Sequence, residues 1–455
     1  MEGFGLATPT LLGALAGLLV AAIPALWMWG FTVDDALIPV RYARHLAAGE
    51  GYRFNALGPM TDGVTPLPWA FLLAPLARAP ATALDVLMRA KCMGLAAWLL
   101  AAAAWGAAVA RADAPRAAKA AAFASLAACV PVAAHAVSGM ETALAMALAT
   151  AAAISVKRPL RAALFAGLAA SLRPEMAPWA VALAAWLGEG PRGKAKSALL
   201  AAAPFAICVL ARVAWFGRAA PLAVLAKPSD LEHGAVYALA AALVVGAPLL
   251  AFAPRALARG PRAGRALALA GALHLAVVVA VGGDWMPYAR LVAPIAPPLL
   301  YAAVLASRHA RTWSLAARSA LALGVEVYIV VVAAPAGRHV MRDRAALIEA
   351  ARAPLQNARI VAALDIGWVS AATEATIVDL AGLTDPTIAV LPGGHTSKRV
   401  DPPFLLAREP DVLVVYDPPR AVEARLVGAE LIEERYAVTT TLPLAGHEYR
   451  LYTRR

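Results

Sequence analysis

The run TLLGALAGLLVAAIPALWMWGFTVDDALIPVRYARHL, residues 10–46, decides the fold class. Its first part, 10–30, is apolar throughout and has the length of about 20 residues that a bilayer-spanning helix needs. We interpret it as a retained helix, because no Lys or Arg precedes it and no clear cleavage site follows. Two adjacent carboxylates, Asp34 and Asp35, come directly after it. Charges at a membrane boundary are costly to place, so this pair indicates a function.

The whole chain has the composition of an integral membrane protein. Of its 455 residues, 61% are hydrophobic and 15% are charged, whereas soluble domains have about 25% charged residues. The three cysteines, Cys92, Cys129 and Cys208, lie inside apolar runs. They are expected to be small core residues, since neither a disulfide framework nor a metal-binding spacing is present.

Hydrophobicity predicts about eleven transmembrane helices. Two of them, 160–172 and 174–188, are short and could be half-helices that meet at Arg173 and Pro174. The apolar run 67–79 has two internal prolines and is predicted to be interfacial or re-entrant. The predicted spans are 10–30, 84–110, 117–135, 139–156, 160–172, 174–188, 197–216, 234–253, 266–282, 288–306 and 314–335.

Charge predicts the orientation of these helices. Residues 1–335 hold 27 basic and 14 acidic side chains, net +13, against net −1 for residues 336–455. If 67–79 does not span, every basic loop falls on one side, which the positive-inside rule makes cytoplasmic. We therefore expect a multi-pass membrane protein with its C-terminal part outside. Heavy use of Ala and Arg is associated with bacterial genomes, so the expected location is the bacterial inner (plasma) membrane. No nucleic-acid groove is indicated, since no basic stretch alternates with aromatics. The basic loops are 111–119, 157–161, 192–196, 255–265 and 308–318.

Residues 336–455 change character and are predicted to form a small α/β domain. Helical patterns near 342–352 and 420–427 lie among short β-like runs. The predicted fold class is a polytopic α-helical membrane protein with a small C-terminal extracytoplasmic α/β domain. The predicted domains are 1–335, with a first outer loop over 31–83, and 336–455. The β-like runs are 359–364, 375–380, 411–416, 436–442 and 449–452.

The carboxylate pair is the first candidate for chemistry. A carboxylate can act as a general base on an acceptor hydroxyl. It can also hold a divalent cation, Mg²⁺ or Mn²⁺, that neutralises a phosphate leaving group. The alternative is structural: Asp35 would cap a helix over 36–48. Capping explains one carboxylate and leaves the other unexplained.

Other charged side chains gather on the predicted outer face. Arg41 and Arg44 lie on the helix 36–48, where they suit a polyprenyl phosphate or, equally, ordinary lipid headgroups. Three further clusters, 135–142, 171–175 and 282–290, fall at predicted outer helix ends. Four such clusters on one face predict a polar cavity that opens outward. The sequence has no P-loop, GxGxxG, GxSxG or CxxC motif.

These segments, in this order, resemble the GT-C class of polyprenyl-phosphate-sugar-dependent membrane glycosyltransferases. The branch they are most like is the bacterial arabinofuranosyltransferase branch, which includes the mycobacterial terminal β-1,2-arabinofuranosyltransferase family. The likeness touches most of the chain, and its first loop is the most specific part. It departs from the family at Asp62, Val64 and Pro66, where the family has Glu, an aromatic and Asn. The motifs are DDALIPVRYARHL (34–46), DGVTPLPW (62–69), SGMETAL (138–144), SLRPE (171–175), GGDWMPYAR (282–290) and IVDLAGLTDPTIA (377–389).

The resemblance implies transfer of a sugar, arabinofuranose favoured, from a polyprenyl-phosphate donor to an extracytoplasmic glycan, lipid or protein acceptor. Asp34 and Asp35 would be the catalytic base or the metal contact. The donor phosphate would meet arginines at Arg41, Arg44, Arg173 and Arg290. Contacts to sugar or acceptor are predicted at Asp62, Thr65, Glu141, Glu175, Asp284 and Trp285.

Two other functions remain open. A transporter or flippase of lipid-linked sugars would also need many helices and a polar cavity, and it would show polar residues through the membrane depth or symmetric repeats. A non-catalytic envelope assembly protein would tolerate replacement of both carboxylates.

Overall fold

The computed structural model describes residues 4–78, 80–251 and 253–455. The chain is mostly helical, with one small sheet near its C-terminus. It divides into two compact units. The helical unit takes in the segment that ends at Thr32 and the segments Lys91–Cys208 and Ser229–Arg338. The sheet unit takes in Val33–Ala90, Val209–Pro228 and His339–Arg455.

The helical unit is built from Ala- and Leu-rich helices, residues with high helix propensity. Two long helices, Ala83–Arg111 and Gly190–Phe216, continue past its boundary. Short 3-10 turns occur at Pro174–Met176, Ala293–Ile295 and Ser307–His309. The helices are Phe4–Trp27, Ala83–Arg111, Arg116–Ala128, Val130–Ala136, Thr142–Ile154, Pro159–Leu172, Ala177–Leu187, Gly190–Phe216, Leu231–Val244, Pro248–Ala251, Pro254–Arg259, Arg262–Ala280, Ala296–Ala306, Thr312–Val332 and Ala334–Gly337.

Within the described residues, five helices are long and apolar enough to cross a membrane. A sixth span results if Arg116–Ala128 and Val130–Ala136, which are bent by 54°, are counted together. Pro131 in the first turn of the second helix explains that bend, because proline cannot continue the preceding hydrogen-bond ladder. The coarse prediction of a mostly helical chain with several apolar helices long enough to span a membrane is confirmed, and the count of eleven spans is not. The five helices are Pro9–Trp27, Ala83–Arg111, Gly190–Phe216, Arg262–Ala280 and Thr312–Val332.

The remaining predicted spans are shorter than expected or interrupted. The predicted span 234–253 ends as a helix at Val244, and Phe252 lies outside the described residues. The break predicted at Arg173 is present, since Arg173 is extended between two helices. The run 67–79 forms Leu67–Leu73 and the 3-10 turn Ala74–Ala77, and Ala79 is outside the described residues.

Small residues set the closest helix contact of the helical unit. A Cβ added to Gly17 would lie 2.2 Å from the carbonyl oxygen of Ala102, and one added to Gly106 would lie 2.2 Å from that of Gly13. These distances are shorter than any real carbon–oxygen contact. The helices Phe4–Trp27 and Ala83–Arg111 can therefore approach only because these positions are glycine.

The sheet unit contains one five-stranded sheet. Its strands are β1 (Ile360–Ala363), β2 (Thr376–Asp379), β3 (Val412–Asp417), β4 (Tyr436–Leu444) and β5 (His447–Arg454), in the order β2-β1-β3-β5-β4. β1 pairs in parallel with β2 and β3, and β5 pairs antiparallel with β3 and β4. The five runs predicted as strands are confirmed. The helices of this unit are Leu37–Ala47, Leu67–Leu73, Leu222–Ala226, Val340–Leu355, Ile366–Ala372, Pro386–Ala389, Pro402–Leu406, Ala421–Val427 and Glu430–Glu433, with 3-10 turns at Asp34–Ala36 and Ala74–Ala77.

The first outer loop belongs to the same compact unit as the sheet. Asn55 makes a two-way contact with the edge strand β2: its Nδ2 donates to the carbonyl of Ile377 at 3.0 Å, and its Oδ1 accepts from the Ile377 N–H at 2.9 Å. The side chain thereby satisfies backbone groups that an edge strand would otherwise leave unpaired. This places the carboxylate pair at the start of the loop in the unit that carries the sheet.

Candidate functional site

Asp34 caps a helix that is distant in sequence. Its Oδ2 accepts the N–H of Gly367 at 2.9 Å and its Oδ1 accepts the N–H of Trp368 at 2.9 Å, at the start of the helix Ile366–Ala372. A Cβ at Gly367 would lie 2.1 Å from the carbonyl oxygen of Asp34, so only glycine permits this approach. The first N–H groups of a helix lack partners within the helix, and a carboxylate satisfies them.

Asp35 does not cap the helix that follows it. The helix Leu37–Ala47 has Ala36 at its N-cap and no side-chain cap, so the alternative in which Asp35 caps a helix over 36–48 is wrong. Asp35 is partly exposed. Its carboxylate makes no hydrogen bond or ion pair with any residue that the structure describes. Of the two carboxylates, Asp34 is therefore fixed and Asp35 is free to contact a ligand.

Charged groups surround the Asp34 carboxylate. Arg344 Nη1 lies 3.5 Å from Asp34 Oδ1, and the two side chains are only 13% and 16% exposed. Asp365, at the end of β1, accepts from Arg420 Nη1 at 2.8 Å and from the hydroxyl of Tyr449. These residues form the sheet-unit carboxylate cluster, defined here as Asp34, Asp35, Arg344, Asp365 and Tyr449.

Burial raises the pKa of Asp34 to about 6, opposed by the charge of Arg344 and reinforced by the charges of Asp365 and Asp35. Asp365 behaves differently. Burial raises its pKa, but the charge and hydrogen bond of Arg420, the hydrogen bond of Tyr449 and the charge of Arg344 together hold the pKa below its ordinary value. The cluster thus holds one carboxyl group that titrates near neutral pH beside one that stays ionised.

Asp34 does not fit the coordination of Mg²⁺ or Mn²⁺. Both of its oxygens already accept backbone N–H groups, and the Arg344 cation lies beside them. Across residues 4–78, 80–251 and 253–455, no group of three or more His, Cys, Asp or Glu side chains could hold a metal ion. Metal binding at Asp35 stays a prediction.

Arg41 does not present its guanidinium to a ligand, which corrects its assignment to the donor phosphate. The side chain is buried, and Nε donates to the carbonyl of Phe54 at 2.7 Å. Nη1 and Nη2 donate to the carbonyls of Ser370, Thr373 and Ala375 at 2.8–3.3 Å. Burial lowers the pKa of Arg41 to about 10. The four carbonyl oxygens account for this cation, which joins the first loop to the end of the helix Ile366–Ala372.

Arg44 remains more accessible. It pairs with Glu374 at 2.8 Å, where the Glu374 side chain is exposed. Both line a cavity of about 520 Å³ together with Thr82, Asp85 and Arg352. Two arginines here face two carboxylates, so the cavity has no net positive charge. A phosphate could bind Arg44 only if the ion pair between Arg44 and Glu374 broke.

Asp62 is a buried structural partner, which corrects its assignment to the sugar or acceptor. Its Oδ2 accepts from Arg212 Nε at 2.8 Å, and both side chains are buried. Burial raises the pKa of Asp62, and Arg212 opposes that shift. Arg212 also donates to the carbonyl of Thr65. The Thr65 side chain is half-buried, and its backbone serves this ion pair.

In the helical unit, the three clusters predicted on one face come together. Arg173 Nη1 lies 2.8 Å from Glu141, and its Nη2 lies 2.6 Å from Glu175. Arg290 Nε lies 2.7 Å from Asp284 Oδ2, and its Nη1 lies 3.8 Å from the sulfur of Met140. Arg173, Glu141 and Glu175 are almost fully buried, and the single cation pairs with both carboxylates, so their first role is to hold helix ends together.

Trp285 is the exposed member of this group. Its side chain is 67% exposed and stacks on His233, with ring centroids 4.1 Å apart and planes at 13°. Asp284 accepts the N–H of Trp285 at 2.9 Å. The following turn holds Tyr288 and Ala289 at φ 60° and 48°, a strained conformation typical of functional sites. A flat aromatic face beside a carboxylate and a guanidinium suits a sugar ring, with its C–H groups on the indole and its hydroxyls on the charges.

Sequence reasoning missed the partners of the carboxylates. Arg344 and Tyr449 carry no motif, and only their fold brings them to Asp34. Asp365 could have been predicted from the sequence, since it follows the C-terminal end of a strand in a parallel pair, where ligand-binding sites tend to form. Arg212 could also have been predicted as a functional or ion-paired residue, because it is a charged residue inside an apolar run.

Comparison with known proteins adds one finding. The model of the family described as "Domain of unknown function (DUF8728)" matches residues 336–452. The match covers about a quarter of the chain and carries no activity. No curated protein and no solved structure matches the chain.

Proposed function

We propose that this chain is a membrane glycosyltransferase that moves a sugar from a polyprenyl-phosphate donor to an acceptor outside the cytoplasm. Arabinofuranose is the favoured sugar, and the acceptor is a glycan, lipid or protein. The first-loop resemblance and the five apolar helices support this proposal. One observation carries it: Asp34 is held in place by two backbone N–H groups, and Asp35 beside it has a carboxylate with no partner in the described part of the chain.

Asp35 is the general base in this proposal. Its carboxylate takes the proton of the acceptor hydroxyl as the acceptor oxygen forms a bond to the anomeric carbon. The bond between that carbon and the phosphate oxygen breaks, and the polyprenyl phosphate leaves with the electron pair. The products are the new glycoside and polyprenyl phosphate, and Asp35 later returns its proton to solvent. No external oxidant or reductant is required.

Asp34 acts as a positioning residue. Its two bonds to Gly367 and Trp368 fix the backbone that carries Asp35. A rigid backbone matters because a base must lie within hydrogen-bond reach of the proton it removes. Because the pKa of Asp34 is about 6, its charge changes near neutral pH and alters the field at Asp35.

Within the helical unit, the exposed face of Trp285 with Asp284 and Arg290 is proposed to contact a sugar ring. Arg44 is retained as a candidate for phosphate, with Glu374 as its competitor. The finer features of the fold, namely a GT-C-like arrangement of about eleven transmembrane segments in a bacterial inner membrane with the sheet outside, belong to this proposal.

The test uses full-length protein in membranes that contain the native acceptor. Labelled polyprenyl-phosphate arabinofuranose is supplied, and transfer is measured for wild type, Asp35→Asn, Asp34→Asn and Asp401→Asn. Asp401 is exposed, lies in the same unit and serves as the matched Asp-to-Asn control. We expect loss of transfer by at least about a hundredfold in Asp35→Asn, as for removal of a general base. Asp401→Asn should match wild type.

Transfer by Asp35→Asn at the wild-type rate would refute Asp35 as the base. Other polyprenyl-linked sugars, tested in the same membranes, identify the donor if arabinofuranose is not moved. Failure of every donor, with intact folded protein, would refute the glycosyltransferase proposal.

One observation favours a second candidate, a transporter of lipid-linked sugars. Glu326 is buried within the apolar helix Thr312–Val332 and accepts a hydrogen bond from Ser125 at 2.6 Å. Its second oxygen has no hydrogen-bond partner. Acidic groups at such depth often belong to transport pathways. Transporter function predicts that Glu326→Gln abolishes movement of labelled donor across proteoliposome membranes, whereas Asp35→Asn leaves it unchanged.

A further inference from the structure

A second polar site lies within the helical unit, away from the Trp285 face. The helices Thr142–Ile154 and Pro159–Leu172 run between the two places: Glu141 and Arg173 lie at one end of this pair, and the link 155–158 lies at the other. Around that link is a cavity of about 560 Å³, here named the basic cavity. Its charged lining residues are Arg111, Lys157, Arg158, Arg161, Arg308 and Asp113.

The positive charges of the basic cavity are poorly compensated. Five cations line it against one carboxylate, a net charge of +4. Asp113 pairs with Arg308 at 2.8 Å. The side chains of Arg111, Lys157 and Arg158 make no hydrogen bond or ion pair with other described residues. Like charges that gather without counter-ions repel one another, and an anion in the cavity would relieve that repulsion.

The walls of the basic cavity are apolar. Ile154, Val156 and Leu305 line it together with the ring of the nearly buried Tyr301. Cations at the rim and aliphatic side chains beside them match a molecule with an anionic head and an apolar body. A soluble anion would gain nothing from these walls.

The cavity lies where the basic loops of the sequence meet. Segments from four of the five loops predicted to be cytoplasmic contribute to its lining, at positions 111, 157, 261 and 308. The fifth predicted loop, 192–196, does not line the cavity and lies in the first turns of the helix Gly190–Phe216. Just before that helix, the carbonyls of Trp186 and Gly188 accept from Arg262 Nη2 at 2.5 and 2.8 Å. The loops that the charge pattern groups on one side of the membrane therefore also lie together at one end of the helical unit.

We propose that the basic cavity binds the phosphate headgroup of an anionic phospholipid in the cytoplasmic leaflet. Arginine forms paired, charge-assisted hydrogen bonds to phosphate oxygens, and basic pockets between membrane helices bind such headgroups. Bound lipid would contact four helices, namely Ala83–Arg111, Thr142–Ile154, Pro159–Leu172 and Ala296–Ala306. The proposal is independent of the sugar-transfer activity, because it concerns residues that the activity does not use.

The test is titration of purified full-length protein with phosphatidylglycerol, phosphatidylcholine or inorganic phosphate, with bound molecules counted by native mass spectrometry. Wild type is compared with Arg111→Gln/Lys157→Gln/Arg158→Gln. The matched control is a second triple variant that removes the same charge from exposed arginines outside the cavity, Arg255→Gln/Arg259→Gln/Arg265→Gln. Thermal unfolding of each variant reports whether it is folded.

We expect wild type and the control variant to bind phosphatidylglycerol in preference to phosphatidylcholine. The cavity variant should bind phosphatidylglycerol at least about tenfold more weakly than wild type does. Arg111→Lys/Arg158→Lys keeps the charge and should retain binding. This variant distinguishes loss of charge from a folding defect as the cause of weaker binding. Equal retention in wild type, cavity variant and control would overturn the proposal. Tight binding of inorganic phosphate without selective lipid retention would also overturn it, since the ligand would then be a soluble anion.

Discussion

Replacement of Asp34 with Asn removes a charge and one of two acceptors at the start of the helix Ile366–Ala372. The Asn oxygen can keep one of the two 2.9 Å bonds, but its amide nitrogen faces the other N–H and cannot accept it. A buried donor left without a partner costs about 1–3 kcal/mol. Arg344 also loses the carboxylate 3.5 Å away. Because burial disfavours the ionised carboxylate, its removal offsets part of this cost, and we expect Asp34→Asn to lower the free energy of unfolding by about 1–2 kcal/mol at pH 7.5.

The penalty should depend on pH. The folded-state pKa of Asp34 is about 6, above its ordinary value of 3.8, so the folded state favours the protonated carboxyl. This contribution to stability is fully present below about pH 3.8 and is lost as the pH rises through about 6. Wild type should therefore gain about 1 kcal/mol between pH 7.5 and pH 5 from this group. Asp34→Asn lacks the titrating group and should lack that gain.

Thermal unfolding of detergent-purified protein at pH 5 and pH 7.5 measures both effects. Asp35→Asn is the control. The Asp35 carboxylate makes no hydrogen bond or ion pair among residues 4–78, 80–251 and 253–455, so this substitution should change stability by less than about 0.5 kcal/mol. If Asp34→Asn and Asp35→Asn unfold at the same temperature, Asp34 does not anchor the helix. If the difference between wild type and Asp34→Asn shrinks at pH 5, the sign of the pKa argument is wrong.

Two further predictions concern other contacts. Arg41→Met should destabilise the protein by about 3–5 kcal/mol, because four buried carbonyls lose their donor. Arg44→Met removes a mostly exposed ion pair and should cost under about 1 kcal/mol. Equal unfolding temperatures for the two variants would contradict this prediction. Trp285→Ala should weaken binding of the sugar donor about fivefold with unchanged stability. Trp313→Ala, at a similarly exposed tryptophan, should leave donor binding unchanged, and loss in both variants would show that Trp285 has no special role.

The sequence predicts the local elements of the sheet unit well. All five β-like runs form strands, because short segments rich in β-branched or aromatic residues favour strands. The two helices predicted there also form, at Val340–Leu355 and Ala421–Val427. Strand order depends on contacts between residues far apart along the chain, which periodicity does not encode.

Helix lengths were harder to predict than helix positions. An Ala-rich sequence stays apolar even where a helix is interrupted. For this reason the bend at Pro131 was not predicted within the span 117–135, and the non-helical turn before Ala293 was not predicted within the span 288–306. Proline was visible in both segments and could have marked each interruption. Hydrophobicity reports burial in an apolar layer and does not report where the backbone stops being helical.

The candidate site was predicted in part. The sequence identified the carboxylate pair and brought the Arg173 and Asp284 clusters to one face, and the clusters do meet within the helical unit. It could not distinguish Asp34 from Asp35, because their difference lies in two backbone N–H groups more than 330 residues away. For the same reason, Arg41 and Asp62 looked like ligand contacts until their buried partners were known.

The most direct measurement of the central claim is the release of polyprenyl phosphate from labelled polyprenyl-phosphate arabinofuranose, in membranes that contain the acceptor, by wild type and by Asp35→Asn at equal amounts of folded protein. The account predicts that wild type releases polyprenyl phosphate together with a labelled acceptor, and that Asp35→Asn releases less by at least about a hundredfold. Equal release by the two proteins would contradict it.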